Sequence, residues 1–449
     1  MVIIGKLLRV TRRQLHTIIS RDIIKPANPT PSHLQTYNLS EIDLLAEKAY
    51  MPLILFYPKI ASCSLTAQDK ASVLKKSLSQ SLTKYHHFAG RLPTRTTPYV
   101  DCNDEGVVFL EARNDSRLDA FQLTSAQDGN LDYLFADDMV CYNSPHNRNL
   151  VGVQLNHFAC GGVGLAISMS HLVGDGCTLG SFIKHWASVA RYGSPDHNEV
   201  LPPHFIHVPR TNSPLSEAPV MNQHHASSTT RVMKKFVFPN SKLSDLKNVV
   251  ANETNNPTRV EVLTSLLYRT AVAAATTKSG CFKPSYLFMM ADIRKHFVDK
   301  LPQTTVGNFV SMMMVPTRLE SQTSISMLVA EIKKQKLQLK GVQSVEHVAK
   351  SLKLVHSKFR NEDLEHLANG SYASSSLCGM AFGKVDFGWG KPMAKAFAFR
   401  SAGANAFLLM DSTDDDGIEA HVILEKEDME IFQNDKELLS FCQVNICDC

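Results

Sequence analysis

Residues 163–189 constrain the fold more than any other stretch, because they read as strand, turn and helix in direct succession. Val163, Leu165, Ile167 and Met169 alternate with the small residues Gly164, Ala166, Ser168 and Ser170. That period of two marks a strand whose large side chains point one way. Leu179, Phe182, Ile183, Trp186 and Val189 then recur at helical spacing. Between the two lies His171-Leu-Val-Gly-Asp175-Gly176. The histidine continues the apolar face of the strand, at a junction where a side chain can project into a cleft while regular structure holds the backbone on both sides. Gly174 and Gly176 are read as permitting the tight turn.

The same alternation runs along the chain. Ala71, Leu74, Leu78 and Leu82 share one face of a helix over 68–85, and 107–110 is a short apolar strand. In the second half, helices are expected over 260–276 and 324–339 and a closing helix over 426–441, with strands near 286–290, 385–387 and 406–410. The class is therefore α/β. A chain of 449 residues exceeds a single typical core, so two domains are expected. Residues 193–231 are rich in Pro, Ser, Asn and His with little periodicity and read as a long crossover. The expected division is 1–192, carrying His171, then the crossover 193–231, then 232–449, carrying a second motif, Asp386-Phe-Gly-Trp-Gly390.

Composition excludes several classes. The 47 Lys and Arg barely outnumber the 43 Asp and Glu, too small an excess for a nucleic-acid partner. No apolar run approaches the roughly 20 residues that span a bilayer, so no membrane partner is expected. The ten cysteines form no C-x-x-C pair, which favours reduced thiols in the cytosol. Cys442, Cys447 and Cys449 lack a matching histidine spacing, and no metal site is expected. There is no G-x-x-x-x-G-K-[ST], no H-E-x-x-H and no complete G-x-G-x-x-G. The glycine pairs at nucleophile-elbow spacing, Gly176 with Gly180 and Gly379 with Gly383, enclose Thr178 and Ala381 rather than serine.

The segment Asp386–Gly390 holds one of only two tryptophans, and two glycines around an indole suit a bulged strand. The His171 and Trp389 motifs, in this order, resemble the BAHD acyltransferases, plant enzymes that move an acyl group from coenzyme A to an alcohol or amine. Similar landmarks are the proline-rich 24–31, Phe88-Ala-Gly-Arg91, Val100-Asp-Cys-Asn-Asp-Glu-Gly106, Thr258-Arg-Val-Glu-Val-Leu-Thr264 and Gly307-Asn308. Lys391-Pro392 points to the branch that acylates alkaloids, pungent amides and other specialised metabolites. The resemblance implies two similar mixed-sheet domains of the coenzyme A-dependent acyltransferase type, joined by a long crossover loop. It also makes 16–25 the first strand, against the reading of the basic residues Lys6, Arg9, Arg12, Arg13 and Arg21 as an organelle-targeting extension. A cytoplasmic monomer is expected, with an organelle as the alternative.

Acyl transfer to a hydroxyl needs a base as oxygen attacks the thioester and an acid as the thiolate leaves. An imidazole, with an ordinary pKa of about 6.5, can do both. His171 is the expected general base. Asp175 invites a triad reading, whereas the resemblance implies that it pairs with an arginine and fixes the turn. Arg294 holds the matching place, with Asp292 where the family usually has asparagine. Asp386 is by analogy a second acid–base group, although the resemblance favours a structural segment around Trp389 that shapes the cofactor channel. Thr258 and Arg259, opening a helix, fit the phosphates of coenzyme A. Lys234, Lys235 and Lys242 fit them too, or else form a solvated face.

The expected reaction is transfer of a short acyl group, acetyl, from acyl-CoA to a hydroxyl of a small specialised metabolite, with no permanently bound cofactor. Alternatives are amide formation by N-acylation, and a non-catalytic ligand-binding relative. Peptide-synthetase condensation domains share the H-x-x-x-D-G but usually show a second histidine where this chain has Ser170.

Overall fold

The computed structural model describes residues 16–443 except 47–48, 62–63, 95–96, 119–130, 137–138, 141–147, 209–230, 341, 343, 362–369 and 399–404. The basic extension, most of the crossover and two of the three C-terminal cysteines lie outside the described residues. The chain forms two compact units, the first from 1–218, 303–308 and 381–400, the second from 219–302, 309–380 and 401–449.

The first unit is built on a six-stranded mixed sheet of β1 (His16–Ile24), β3 (Tyr50–Tyr57), β5 (Val107–Asn114), β6 (Val151–Phe158), β7 (Val163–Ser170) and β12 (Ala394–Phe397), in the order β1-β5-β6-β7-β3-β12. Only β5 and β6 run parallel. A two-stranded ribbon pairs β2 (Thr36–Asn38) with β4 (Tyr99–Asp101). The alternation in β7 has a packing cause. Leu165 lies opposite Leu55 and Leu155, and Ile167 opposite Leu53 and Val153, so large side chains from three strands share one face. On the other face Ala166 joins Ile54, Phe56, Phe158 and Leu134 in a core. A Cβ at Gly164 would lie 3.2 Å from both Ile54 Cδ1 and Phe158 Cε2, a tight fit that favours a small residue there.

Helix α1 (Glu41–Leu45) begins in a capping box of Ser40 and Asp43, and α2 (Ala67–Lys84) in one of Thr66 and Asp69. Helix α2 buries Ala71, Leu74, Leu78 and Leu82, the face read from the sequence. Helix α3 (Gly176–Tyr192) stops at Gly193, whose φ of 74° suits a residue without Cβ. Its Trp186 is fully buried and donates Nε1–H to Ser77 Oγ of α2 at 3.0 Å.

The second unit has its own six-stranded mixed sheet, of β8 (Arg231–Pro239), β9 (Ser285–Asp292), β10 (Val310–Thr317), β11 (Ser371–Ser376), β13 (Asn405–Asp411) and β14 (Gly417–Glu425). The order is β10-β9-β11-β13-β14-β8, with β11 parallel to both neighbours. Its helices are α4 (Asn240–Val249), α5 (Arg259–Ser279), α6 (Ile325–Leu337), α7 (Val345–Asn361), α8 (Lys426–Phe432) and α9 (Lys436–Phe441). Leu263, Leu266 and Leu267 of α5 pack in one core with Phe238, Phe407 and Ile332.

Mixed sheets with helices confirm the α/β class, but four expectations differ in detail. The strand near 385–387 is absent; those residues follow a 3-10 turn at Phe382–Lys384 and lead into a bend, and the strand comes later as β12. The closing helix is two helices, because the Asp435 carboxylate accepts a bond from Leu438 N at 2.8 Å and restarts the chain as α9. Of the expected crossover, 193–208 belong to the first unit and Arg231 opens β8. Finally, 303–308 and 381–400, expected in the C-terminal domain, belong to the first unit: β12 adds to the edge of its sheet beside β3, and Thr178 binds the backbone of Gly307. Among the described residues no helix is long and apolar enough to cross a membrane.

Candidate active site

His171 follows β7 directly and opens a 3-10 turn, its backbone N–H donating to Ala49 O at 2.9 Å. The ring is half-buried, with Nδ1 3.0 Å from the side-chain oxygen of Asn308. Among the described residues Nε2 has no hydrogen-bond partner. Asn308 is itself tightly held and only 1% exposed. Its Nδ2 donates to His171 O at 2.7 Å and to Asp43 Oδ1 at 2.8 Å, and its backbone N donates to the same Asp43 oxygen at 2.8 Å. Asp43 Oδ2 accepts from Ser40 N at 2.7 Å. Burial pushes the Asp43 carboxyl above its ordinary range, although the Asn308 and Ser40 donors pull the other way.

The rest of the turn is held by its own hydrogen bonds. Asp175, 2% exposed, caps α3 by accepting from Thr178 N at 2.9 Å. Thr178 Oγ1 donates to Gly307 O at 3.0 Å and accepts from Gly307 N at 3.2 Å. Gly174 has an extended φ of 161°, and Gly176 is the first residue of α3 and is not left-handed. What demands a glycine at 174 is space: a Cβ there would lie 2.5 Å from Thr178 Cγ2.

Arg294, fully buried in the second unit, donates Nη1 to Asp292 Oδ1 at 3.1 Å, and its guanidinium lies 4.8 Å from the Phe309 ring centre. Asp175 belongs to the first unit and Arg294 to the second.

Asp386–Gly390 is a bend rather than a bulged strand. Asp386 Oδ1 accepts from Gly388 N at 2.8 Å and Gly390 N at 2.9 Å, and Oδ2 lies 3.7 Å from Arg191 Nη1. His171 is not among its partners in the described residues. Gly390 has φ +99°, and a Cβ there would meet Ile60 Cδ1 at 2.5 Å. Trp389, 3% exposed, stacks on Phe387 at 5.7 Å, meets Tyr57 edge-on at 6.3 Å and carries Lys70 Nζ 5.8 Å from its ring centre. Tyr57 donates its hydroxyl to Val385 O at 3.1 Å, and burial, then the Asp386 charge, pushes that phenol well up.

Thr258 does cap a helix, α5, in a capping box with Glu261. That buried carboxylate accepts from Thr258 N at 2.8 Å and pairs with Lys336 at 2.7 Å. Burial alone would raise its pKa, but the Lys336 and Thr258 donors hold it below the usual glutamate value. The helix start thus already holds an anion, and Arg259, exposed and bonded to Asn240 Oδ1, supplies the free-facing positive charge beside it. Lys234 and Lys235 are exposed on β8 and Lys242 on α4. Among the described residues no group of three or more His, Cys, Asp or Glu is placed to hold a metal ion.

Sequence reasoning identified Asn308 only as a landmark and missed Asp43. The Ser40–Asp43 spacing signals a helix cap, and nothing local ties it to a residue 265 positions away.

A family model described as "Transferase family" matches residues 16–439. The chain is 32% identical over 441 residues to a 17,18-epoxy-17-hydroxycur-19-ene N-malonyltransferase of Strychnos nux-vomica, covering 95% of this chain and 90% of the relative. It is also 32% identical over 446 residues to deacetylvindoline O-acetyltransferase of Catharanthus roseus, with coverage of 94% and 97%. The crystal structure of vinorine synthase is similar in fold, with a TM-score of 0.77 at 24% identity over 95% of this chain and 98% of that one.

Proposed function

The chain belongs to the BAHD acyltransferases, and on that premise we propose that it transfers a short acyl group, acetyl, to a hydroxyl of a plant specialised metabolite with His171 as general base. Enzymes of this family draw the acyl group from acyl-coenzyme A. The observation that carries the proposal is the contact of His171 Nδ1 with Asn308 Oδ1 at 3.0 Å. An amide oxygen only accepts, so Nδ1 carries a proton and the neutral ring keeps its lone pair on Nε2.

In the proposed cycle Nε2 removes the hydroxyl proton as oxygen attacks the thioester carbonyl. The tetrahedral intermediate collapses with cleavage of the carbon–sulfur bond, and the imidazolium returns the proton to the departing thiolate. Ester and free coenzyme A leave, and the ring is neutral again. Positioned proton transfer of this kind contributes about 10²- to 10⁴-fold. Asp175 and the Asp386–Gly390 segment support the backbone around the reaction rather than move protons. Arg259, beside the helix start that Glu261 already occupies, meets a phosphate of coenzyme A; Arg259→Ala should then raise the KM for acyl-CoA and leave kcat unchanged.

The test is a panel of alkaloid, terpenoid and phenolic alcohols with several acyl-CoAs, following free coenzyme A by thiol detection and products by mass spectrometry. Ester formation with acetyl-CoA is expected. The kinship with an N-malonyltransferase favours a second reading, so amine acceptors belong in the panel. Exclusive amide formation would replace the O-acyl reading with that one, and acyl-CoA binding without turnover on any acceptor would overturn both.

A further inference from the structure

We propose that Asp43 is a positioning residue of the acyl transfer: acting through Asn308, it decides which nitrogen of His171 carries the proton. The proposal rests on the reading of His171 as the base.

A side-chain amide can sit in either of two orientations, exchanging its oxygen and its NH2. Here the surroundings discriminate between them. The Asn308 NH2 faces two oxygens that only accept, the carbonyl of His171 at 2.7 Å and the Asp43 carboxylate at 2.8 Å. Turning the amide over would set its oxygen against both of them and its NH2 against His171 Nδ1. Nδ1 would then have to accept, the ring proton would move to Nε2, and the nitrogen assigned to take the substrate proton would already be occupied.

Asp43 is well built for this task. It is 2% exposed, so water does not compete for its oxygens. One oxygen receives both nitrogens of Asn308, and the other is held by Ser40 N at 2.7 Å. Asp43 N in turn donates to Ser40 Oγ at 3.1 Å, so the carboxylate is anchored at the start of α1. Its described partners are all N–H groups with no cation among them, so both oxygens act as acceptors and one of them is directed at the amide that touches the base. A cap alone would need only the Ser40 contacts.

The first measurement is nitrogen-15 NMR of the His171 ring in the unsubstituted protein, its signals identified by their loss in His171→Gln. A neutral ring protonated at Nδ1 is expected. Protonation at Nε2 overturns the proposal whatever any variant does, and this arm stands even where a substitution prevents folding.

The second is Asp43→Asn. This side chain can offer Asn308 either an oxygen or an NH2 and so removes the discrimination while keeping the shape. Loss of kcat by about tenfold or more is expected, with KM for both substrates within about twofold and a new Nε2-protonated population in the spectrum. A merely structural cap predicts a lower melting temperature with kcat per folded molecule and the Nδ1 signal intact, and that result overturns the proposal. His171→Ala separates the two levels. If it abolishes turnover while Asp43→Asn changes neither kcat nor tautomer, only the role of Asp43 fails. If His171→Ala keeps turnover within a few-fold of the parent, the base reading fails with it.

Discussion

The turns at 171–176 and 386–390 both lie in the first unit, and in each an aspartate oxygen gathers backbone N–H groups: Thr178 for Asp175, Gly388 and Gly390 for Asp386. They part company in what else they hold. Around His171 the polar contacts converge on a side chain, with an amide oxygen on one ring nitrogen and the other ring nitrogen unbonded among the described residues. Around Trp389 the neighbours are the rings of Phe387 and Tyr57 and the Lys70 ammonium, and among the described residues the buried indole N–H has no partner. A carboxylate in a motif is therefore poor evidence of chemistry. An ionisable group held at one atom and left open at another is better evidence.

Four substitutions can break or sharpen this contrast. His171→Ala should lower turnover by about 10²-fold or more while melting and acyl-CoA binding stay near those of the parent, as steady-state kinetics, calorimetry and titration would show. Trp389→Ala should act on stability instead, costing about 3–5 kcal/mol in denaturant unfolding; an unchanged midpoint would mean that the aromatic cluster is not what the segment is for.

Asp175→Ala removes a buried cap and should cost about 1 kcal/mol, with a smaller loss of turnover than His171→Ala. Activity lost as fully as in His171→Ala, in a variant of parental stability, would restore the triad reading. The smallest effect is expected from Asp386→Asn, which keeps an oxygen for Gly388 and Gly390 and gives up only the half-exposed contact with Arg191, worth less than about 1 kcal/mol. Its pH–rate profile should keep both limbs. A missing limb at normal stability would make Asp386 an acid–base group after all.

What could be read in advance was local. The large–small alternation of β7 and the helical spacing of α3 located His171 at a strand-to-helix junction, and Thr258 stood out as a cap because three residues later comes Glu261. The Trp389 segment misled because Val385, Phe387 and Trp389 alternate like a strand; left-handed backbone at Gly388 and Gly390, closed by one carboxylate oxygen, bends them out of any sheet. The closing helix misled in the opposite way, since buried Met429, Phe432 and Leu438 place apolar residues on both sides of a break that Asp435 caps. The contact of Asp43 with Asn308 left no local trace.

The place of β12 at the edge of the first sheet has a consequence for how the protein is made. Strand β3 pairs Leu53–Phe56 with Ala394–Phe397, so while the ribosome works through the intervening sequence, Leu53, Ile54, Leu55 and Phe56 form an unclosed apolar edge. At synthesis rates of about 5–20 residues per second that interval is roughly 20–70 seconds. Open edges of this kind recruit other chains. The nascent protein therefore carries this edge of β3 open for most of its time on the ribosome, and Asn308, whose amide meets the His171 ring, is itself a late addition.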